Sequence, residues 1–188
     1  IGAGGVIPPP AGYFEKVVPI LKQHDILFIA DEVINGFYRT GEMYGCQTYG
    51  LEPDLISIAK AMSAGYQPIG AVMMTDAIHE VLVEGSRKYG LFGHGFTYSG
   101  HPVPAAVALE TQNIYQADDT EAHVKAVSHR FQQRLKALGK HPLVGEARGI
   151  GLIGAVELVE QKEPLRNFDP ARNFDPARKV GRWVMNWA

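Results

Sequence analysis

The chain has 188 residues, 46% of them apolar, 20% charged and 10% aromatic, which is the make-up of one globular domain or of one domain and part of another. Eighteen basic residues stand against twenty acidic ones, a net charge of −2, so no basic field exists to hold a nucleic-acid backbone. No apolar stretch approaches the ~20 residues of a membrane helix, and the single cysteine, Cys46, has no partner for an internal disulfide, which fits a reducing compartment.

Residues 1–10 read as loop, with Gly2-Ala3-Gly4-Gly5 followed by Pro8-Pro9-Pro10. A helix is expected from about Gly12, with Phe14, Val17, Val18 and Leu21 on one face and Pro19 kinking or shortening it. Ile26–Ala30 is a continuous apolar run that stops at Asp31-Glu32, the pattern of a buried parallel strand. Leu55–Ala59, stopping at Lys60, and Ile69–Met74 are two further strands of the same kind. Between the first two lie a glycine-rich turn, Gly36 to Gly41, and a short helix near Met43–Tyr49.

Asp76–Val83 reads as helix and Leu91–Gly100 as loop. Two long helices should follow, about Pro104–Gln116 and Thr120–Leu138, the second capped by Asp119 or Thr120. Leu143–Arg148 and Leu152–Val159 look like a strand pair, and Asn173–Ala188 like a last helix opened by Asp175-Pro176. Strands alternating with helices, then helices, give an α/β class. The hexapeptide 167–172 recurs at once as 173–178, too short and too few for a solenoid; we read it as a local duplication without function.

Gly149-Ile150-Gly151-Leu152-Ile153-Gly154 is literally G-x-G-x-x-G. A dinucleotide fingerprint needs a helix to begin there, whereas an alternating strand follows, so a glycine turn between strands is the better reading. The seven histidines and one cysteine show no zinc-ligand spacing, and neither a nucleophile elbow nor a P-loop is present.

Asp31 and Lys60 each end an apolar run, which places both at the carboxyl edge of a sheet, where open α/β sheets hold their ligands. A lysine amine for an aldehyde and a carboxylate for a ring nitrogen are what pyridoxal phosphate requires. On spacing alone, solvated strand-end charges explain the pair as well.

The wording around the pair goes further. Ile29-Ala30-Asp31-Glu32-Val33-Ile34-Asn35-Gly36-Phe37-Tyr38-Arg39-Thr40-Gly41 and Asp54-Leu55-Ile56-Ser57-Ile58-Ala59-Lys60-Ala61-Met62-Ser63-Ala64-Gly65 closely resemble the signature of class III pyridoxal-phosphate aminotransferases. The resemblance extends to Gly4–Pro9, Gly12-Tyr13, Gly95–Pro102 and Arg148–Leu152, nearly the whole chain. It implies a fold-type I transferase: part of the large domain (1–138), with a mixed, mainly parallel sheet and flanking helices, then the start of a C-terminal small domain (139–188). Both would be incomplete relative to the family, and the chain by itself inactive.

Residue by residue, Lys60 resembles the Schiff-base lysine that also shuttles the substrate proton. Asp31 resembles the partner of the ring nitrogen, and Val33 the residue packed on one ring face. Thr97 resembles the threonine that reaches the phosphate in a neighbouring subunit, with Phe96 and Tyr98 lining that shared pocket. Arg39 and Arg148 are expected to be structural. The resemblance therefore implies a homodimer with shared active sites, acting on a small-molecule amino donor and a keto acid, with no metal, nucleic acid or membrane.

Ile34 stands where many relatives carry glutamine, and the wording Asp-Glu-Val-Ile-x-Gly-Phe looks like the pyruvate-dependent ω-amino acid and amine aminotransferases. A 4-aminobutyrate, diamine or aminomutase-type member is the alternative, and an inactive remnant with a structural or partner-binding role a further one. Residue 1 is Ile rather than Met, so the chain reads as processed or partial. A cytoplasmic location is expected, with a targeting peptide left open.

Overall fold

The computed structural model describes residues 1–167; the expected helix at 173–188 and nearly all of the hexapeptide repeat lie outside them. In chain order the elements are α1 (Tyr13–Gln23), β1 (Ile29–Asp31), α2 (Gly45–Thr48), β2 (Leu55–Ile58), a 3₁₀ turn (Lys60–Ser63) and β3 (Ala71–Met74). Then come α3 (Asp76–Tyr89), α4 (Pro102–Ala117), α5 (Thr120–Leu138), β4 (Val144–Ile150), β5 (Ile153–Gln161) and β6 (Arg166–Asn167).

Two three-stranded sheets result, in the orders β1-β2-β3 and β4-β5-β6. In the first, β1 and β2 are parallel, with Asp31 opposite Ser57. The third strand departs from expectation: β3 runs antiparallel to β2, pairing Leu55 with Met74 and Ile58 with Ala71. The expected buried first strand is also shorter and more open. The Phe28 N–H donates to the Asp54 carboxylate at 2.7 Å, so the ladder begins only at Ile29. Ile26, Leu27 and Ile29 remain more than half exposed, because β1 is an edge strand.

Helix α1 runs on through Pro19 rather than ending there. The two long helices fall where expected, although Asp119, at the N-cap of α5, makes no side-chain capping bond and sits in the left-handed region at φ 45°. Helix α4 opens with Pro102 in its first turn, and His101 Nδ1 accepts the Val103 N–H at 3.2 Å. The β4–β5 pair is antiparallel, with Ile150 opposite Ile153. The G-x-G-x-x-G stretch is thus a hairpin turn and opens no helix.

Candidate functional site

The carboxyl ends of β1 and β2 lie side by side, and the chain leaves them in two different ways. After β1, Glu32 is 3% exposed, and its carboxylate accepts the N–H groups of Gly45 at 2.9 Å and Cys46 at 2.7 Å. These amides open α2, whose first turn has no intrahelical acceptors for them. The acid next to Asp31 is therefore an internal anchor that folds the 33–44 excursion back against β1. Reading Asp31-Glu32 only as the end of an apolar run missed this, because the Gly45 and Cys46 amides that Glu32 meets are thirteen and fourteen positions away.

Asp31 itself is exposed. Its Oδ1 accepts the Val33 N–H at 3.1 Å, which fixes the carboxylate at the sheet edge. Its second oxygen takes no hydrogen bond among the described residues, so an external donor can use it.

After β2 the chain turns sharply. Lys60 adopts φ 47°, a left-handed conformation that costs a non-glycine residue about 1–3 kcal/mol and gathers at functional sites. The following 3₁₀ turn is held from outside: the Tyr115 hydroxyl donates to the Ala61 carbonyl at 2.9 Å. Gln112 Nε2 donates to the Met62 carbonyl at 3.0 Å. Both residues come from α4. Within the loop, the Ser63 hydroxyl donates to the Gln67 carbonyl at 2.6 Å.

Lys60 opens onto a cavity of about 740 Å³ shared with Val33, Ile34, Arg39, Tyr115 and Leu152. The lining is apolar apart from two cationic side chains and a phenol, and it includes no carboxylate. Burial raises the Tyr115 phenol above its ordinary value, opposed by the positive charge of Arg39. The floor is closed by the β4–β5 hairpin, where the Leu152 N–H donates to the Arg39 carbonyl at 2.9 Å. A Cβ on Gly151 would lie 2.6 Å from the Arg39 oxygen, so only glycine lets the hairpin approach this closely.

The structure thus brings Lys60 and Val33 to one cavity, with Asp31 on the neighbouring strand end. It does not bring Thr97, Phe96 or Tyr98 there. They lie on the loop before α4, with Phe96 83% and Tyr98 80% exposed. That loop is shaped by Ser99, whose hydroxyl accepts the Phe96 N–H at 2.7 Å. Arg148 is a cross-tie: its guanidinium donates to the Gly5 and Val6 carbonyls and pairs with Glu146 and Glu157, each at 2.8 Å. No group of three metal-ligating side chains occurs among the described residues.

Comparison with known proteins agrees with this arrangement. A family model, aminotransferase class-III, matches residues 1–186. The chain is 56% identical over 164 residues to gamma aminobutyrate transaminase 3, chloroplastic, of Solanum lycopersicum, covering 87% of this chain and 32% of that protein. A solved structure from the directed evolution of transaminases by ancestral reconstruction superposes with a TM-score of 0.90 at 43% identity. That match covers 99% of this chain and 41% of the other. The PMP-bound form of an aminotransferase from Vibrio fluvialis gives 0.85 at 43% identity, over 90% of this chain and 37% of that one. The chain therefore spans about a third of the length of the curated relative. A lysine and an aspartate presented from adjacent strand ends, within a family match running from end to end, make this chain a member of the class III aminotransferases, pyridoxal-phosphate enzymes of fold type I.

Proposed function

We propose that the protein of which this chain forms part transfers the amino group of an ω-amino acid to a keto acid, with 4-aminobutyrate the first donor to test and pyruvate the acceptor. The observation that carries the reading is the strained Lys60, which follows β2, the strand paired with that of Asp31, and opens onto the cavity. The donor class is supported by the name of the tomato relative, and the acceptor by the resemblance of Asp31-Glu32-Val33-Ile34-Asn35-Gly36-Phe37 to the pyruvate-dependent members.

The residues present suit pyridoxal phosphate. A cavity of about 740 Å³ lies within the ~300–1,000 Å³ of small-molecule sites, and its two cationic side chains suit a phosphate-bearing group; Asp31 stands outside this lining, at the end of β1. When bound, the cofactor supplies an aldehyde for covalent attachment and a ring that withdraws electrons. Lys60 would hold it through the amine and, once released, carry the proton taken from the substrate. Asp31, with one oxygen committed to Val33 and the other open, would hold the ring-nitrogen proton. Val33 would pack on one ring face. Thr97, with Phe96 and Tyr98 beside it, would serve the site of a second subunit, which agrees with their exposure away from Lys60. The boundary after residue 138 belongs to the same proposal and is supported by the division into two sheets.

Reduction with borohydride in the presence of pyridoxal phosphate, followed by peptide mapping, should place the label on Lys60, and Lys60→Ala should abolish it. Lys125 should stay unlabelled, since Glu42 at 2.8 Å and Glu121 at 2.6 Å engage its amine and raise its pKa. Label on Lys88 or Lys125 in place of Lys60 would sink the assignment. Alanine formed from pyruvate and 4-aminobutyrate supports the substrate reading; glutamate formed from 2-oxoglutarate, with no alanine, replaces pyruvate as acceptor. No described helix is long and apolar enough to cross a membrane. The tomato relative is named chloroplastic, so an organelle competes with the cytoplasm as the compartment, and cell fractionation decides between them.

A further inference from the structure

We propose that Tyr115 and Gln112 are positioning residues that hold Lys60 in its left-handed conformation and thereby aim its amine into the cavity. The proposal rests on the reading of Lys60 as the cofactor-attaching lysine. Its geometry is independent of any cofactor.

A four-residue 3₁₀ turn has little to keep it in place. At its ends the Met62 N–H donates to Ala59 O at 3.0 Å and the Ala64 N–H to Ala61 O at 3.2 Å. Relaxing Lys60 to negative φ would relieve its strain and would redirect its side chain, because Cβ direction follows the backbone. Two consecutive carbonyls of the turn, Ala61 and Met62, are instead gripped by donors three residues apart on α4, a spacing that sets both on one helix face.

The grip itself is braced. Tyr115 packs edge-on against Tyr38, with ring centroids 6.1 Å apart, and against Phe37 at 6.3 Å. Phe37 and Tyr38 also lie at positive φ, 59° and 69° respectively. The excursion after β1 and the turn after β2 therefore meet on one phenol ring. Arg39, lower in the same cavity, opposes the rise in the Tyr115 pKa caused by burial. The phenol stays protonated through neutral pH, as a donor to a carbonyl must.

The test uses the intact protein without cofactor and the variants Tyr115→Phe, Gln112→Met and the double variant, with Asn113→Ala as a control on the exposed side of α4. Tyr115→Phe keeps the ring contacts and removes only the hydroxyl, so the variant is expected to fold. Deuterium exchange at the amides of Met62 and Ala64 should rise about fivefold per lost hydrogen bond, and exchange in α5 and β4 should not change. Competitive acetylation at one fixed pH should give the same ratio of Lys60 to Lys16 labelling in the wild type and in Asn113→Ala. That ratio should change in the double variant, where the turn no longer fixes the direction of the Lys60 side chain. A global loss of stability would lower the melting temperature without changing the ratio well below the midpoint.

Unchanged exchange in the turn overturns the proposal. So does a Lys60-to-Lys16 labelling ratio that is the same in the double variant as in the wild type. Failure of pyridoxal phosphate to attach to wild-type Lys60 would instead sink the proposed function, and the positioning role would still be decided by these two measurements.

Discussion

Asp31 has one carboxylate oxygen bonded to the Val33 amide and one left open, and this division predicts how it responds to substitution. Asp31→Asn retains the bond to Val33 and should leave the cofactor bound. It removes the charge that would stabilise a ring-nitrogen proton, so turnover should fall by ~10²–10⁴. Near-normal turnover with 4-aminobutyrate and pyruvate would count decisively against the assigned role. Its neighbour Glu32 predicts the opposite pattern. Glu32→Ala strands the Gly45 and Cys46 amides in a buried place, at a cost of about 2–3 kcal/mol, visible as a lower denaturation midpoint.

Cys46 reports on the same corner. Burial first, then the Glu32 charge, raises its thiol pKa above the ordinary 9.0. The folded state favours the neutral thiol, so this contribution to stability is fully present below about pH 9. It is lost as pH rises through the folded-state value. Iodoacetamide at pH 8 should therefore modify Cys46 only after unfolding; rapid alkylation of the native protein would contradict its burial. At this scale the positions of Asp31 at the end of β1 and Lys60 just after β2 were legible because each stops an apolar run. Glu32 was not, since nothing in the linear order tells which of two adjacent acids turns inward.

Among the elements, α5 was legible to its ends because a long amphipathic period carries its own boundaries. The direction of β3 was not read, yet a physical signal was available. A parallel connection needs a crossover of roughly a dozen residues or more, usually helical. The expected strands, ending at Ala59 and beginning again at Ile69, left only residues 60–68 between them, too few for a crossover, and the antiparallel return is what is observed. The shortening of β1 depends on a side chain twenty-six positions away, Asp54, which local pattern cannot reveal. The β4–β5 hairpin was legible because an alternating strand follows the glycines. The contact of Gly151 with the Arg39–Thr40 turn was hidden, being long-range. Gly151→Ala should lower stability by about 1–3 kcal/mol or more, through the positive φ of 56° and the 2.6 Å approach to backbone. Thermal melts of the purified variant measure this, and an unchanged midpoint would show that the hairpin can move aside freely.

For the whole molecule, a large apolar surface remains uncovered. All four residues of β3 are exposed, and Leu91, Phe96 and Tyr98 are each at least 80% exposed. Exposed large apolar side chains in this number favour association. We expect the 188-residue chain, produced alone, to self-associate and to form no alanine from pyruvate with an amine donor. Size-exclusion chromatography with in-line light scattering, followed by that assay, checks both; turnover by a monodisperse monomer would refute them together. Thr97→Ala in the intact protein should weaken cofactor retention, measured by dialysis, without moving the label from Lys60.

Helix α4 joins these surfaces in a way that concerns timing. It has sixteen residues, and at about 1.5 Å each it forms a rod of roughly 24 Å. One end continues from the loop of Thr97; the other carries Gln112 and Tyr115 to the turn of Lys60. If Thr97 serves a neighbour's phosphate, each rod has one end at its neighbour's centre and the other at its own. Cofactor loading at one centre would then stiffen the lysine support at the other. Titration with pyridoxal phosphate should show the second equivalent binding more tightly than the first, and shortening the grip with Tyr115→Phe should make the two equivalents alike.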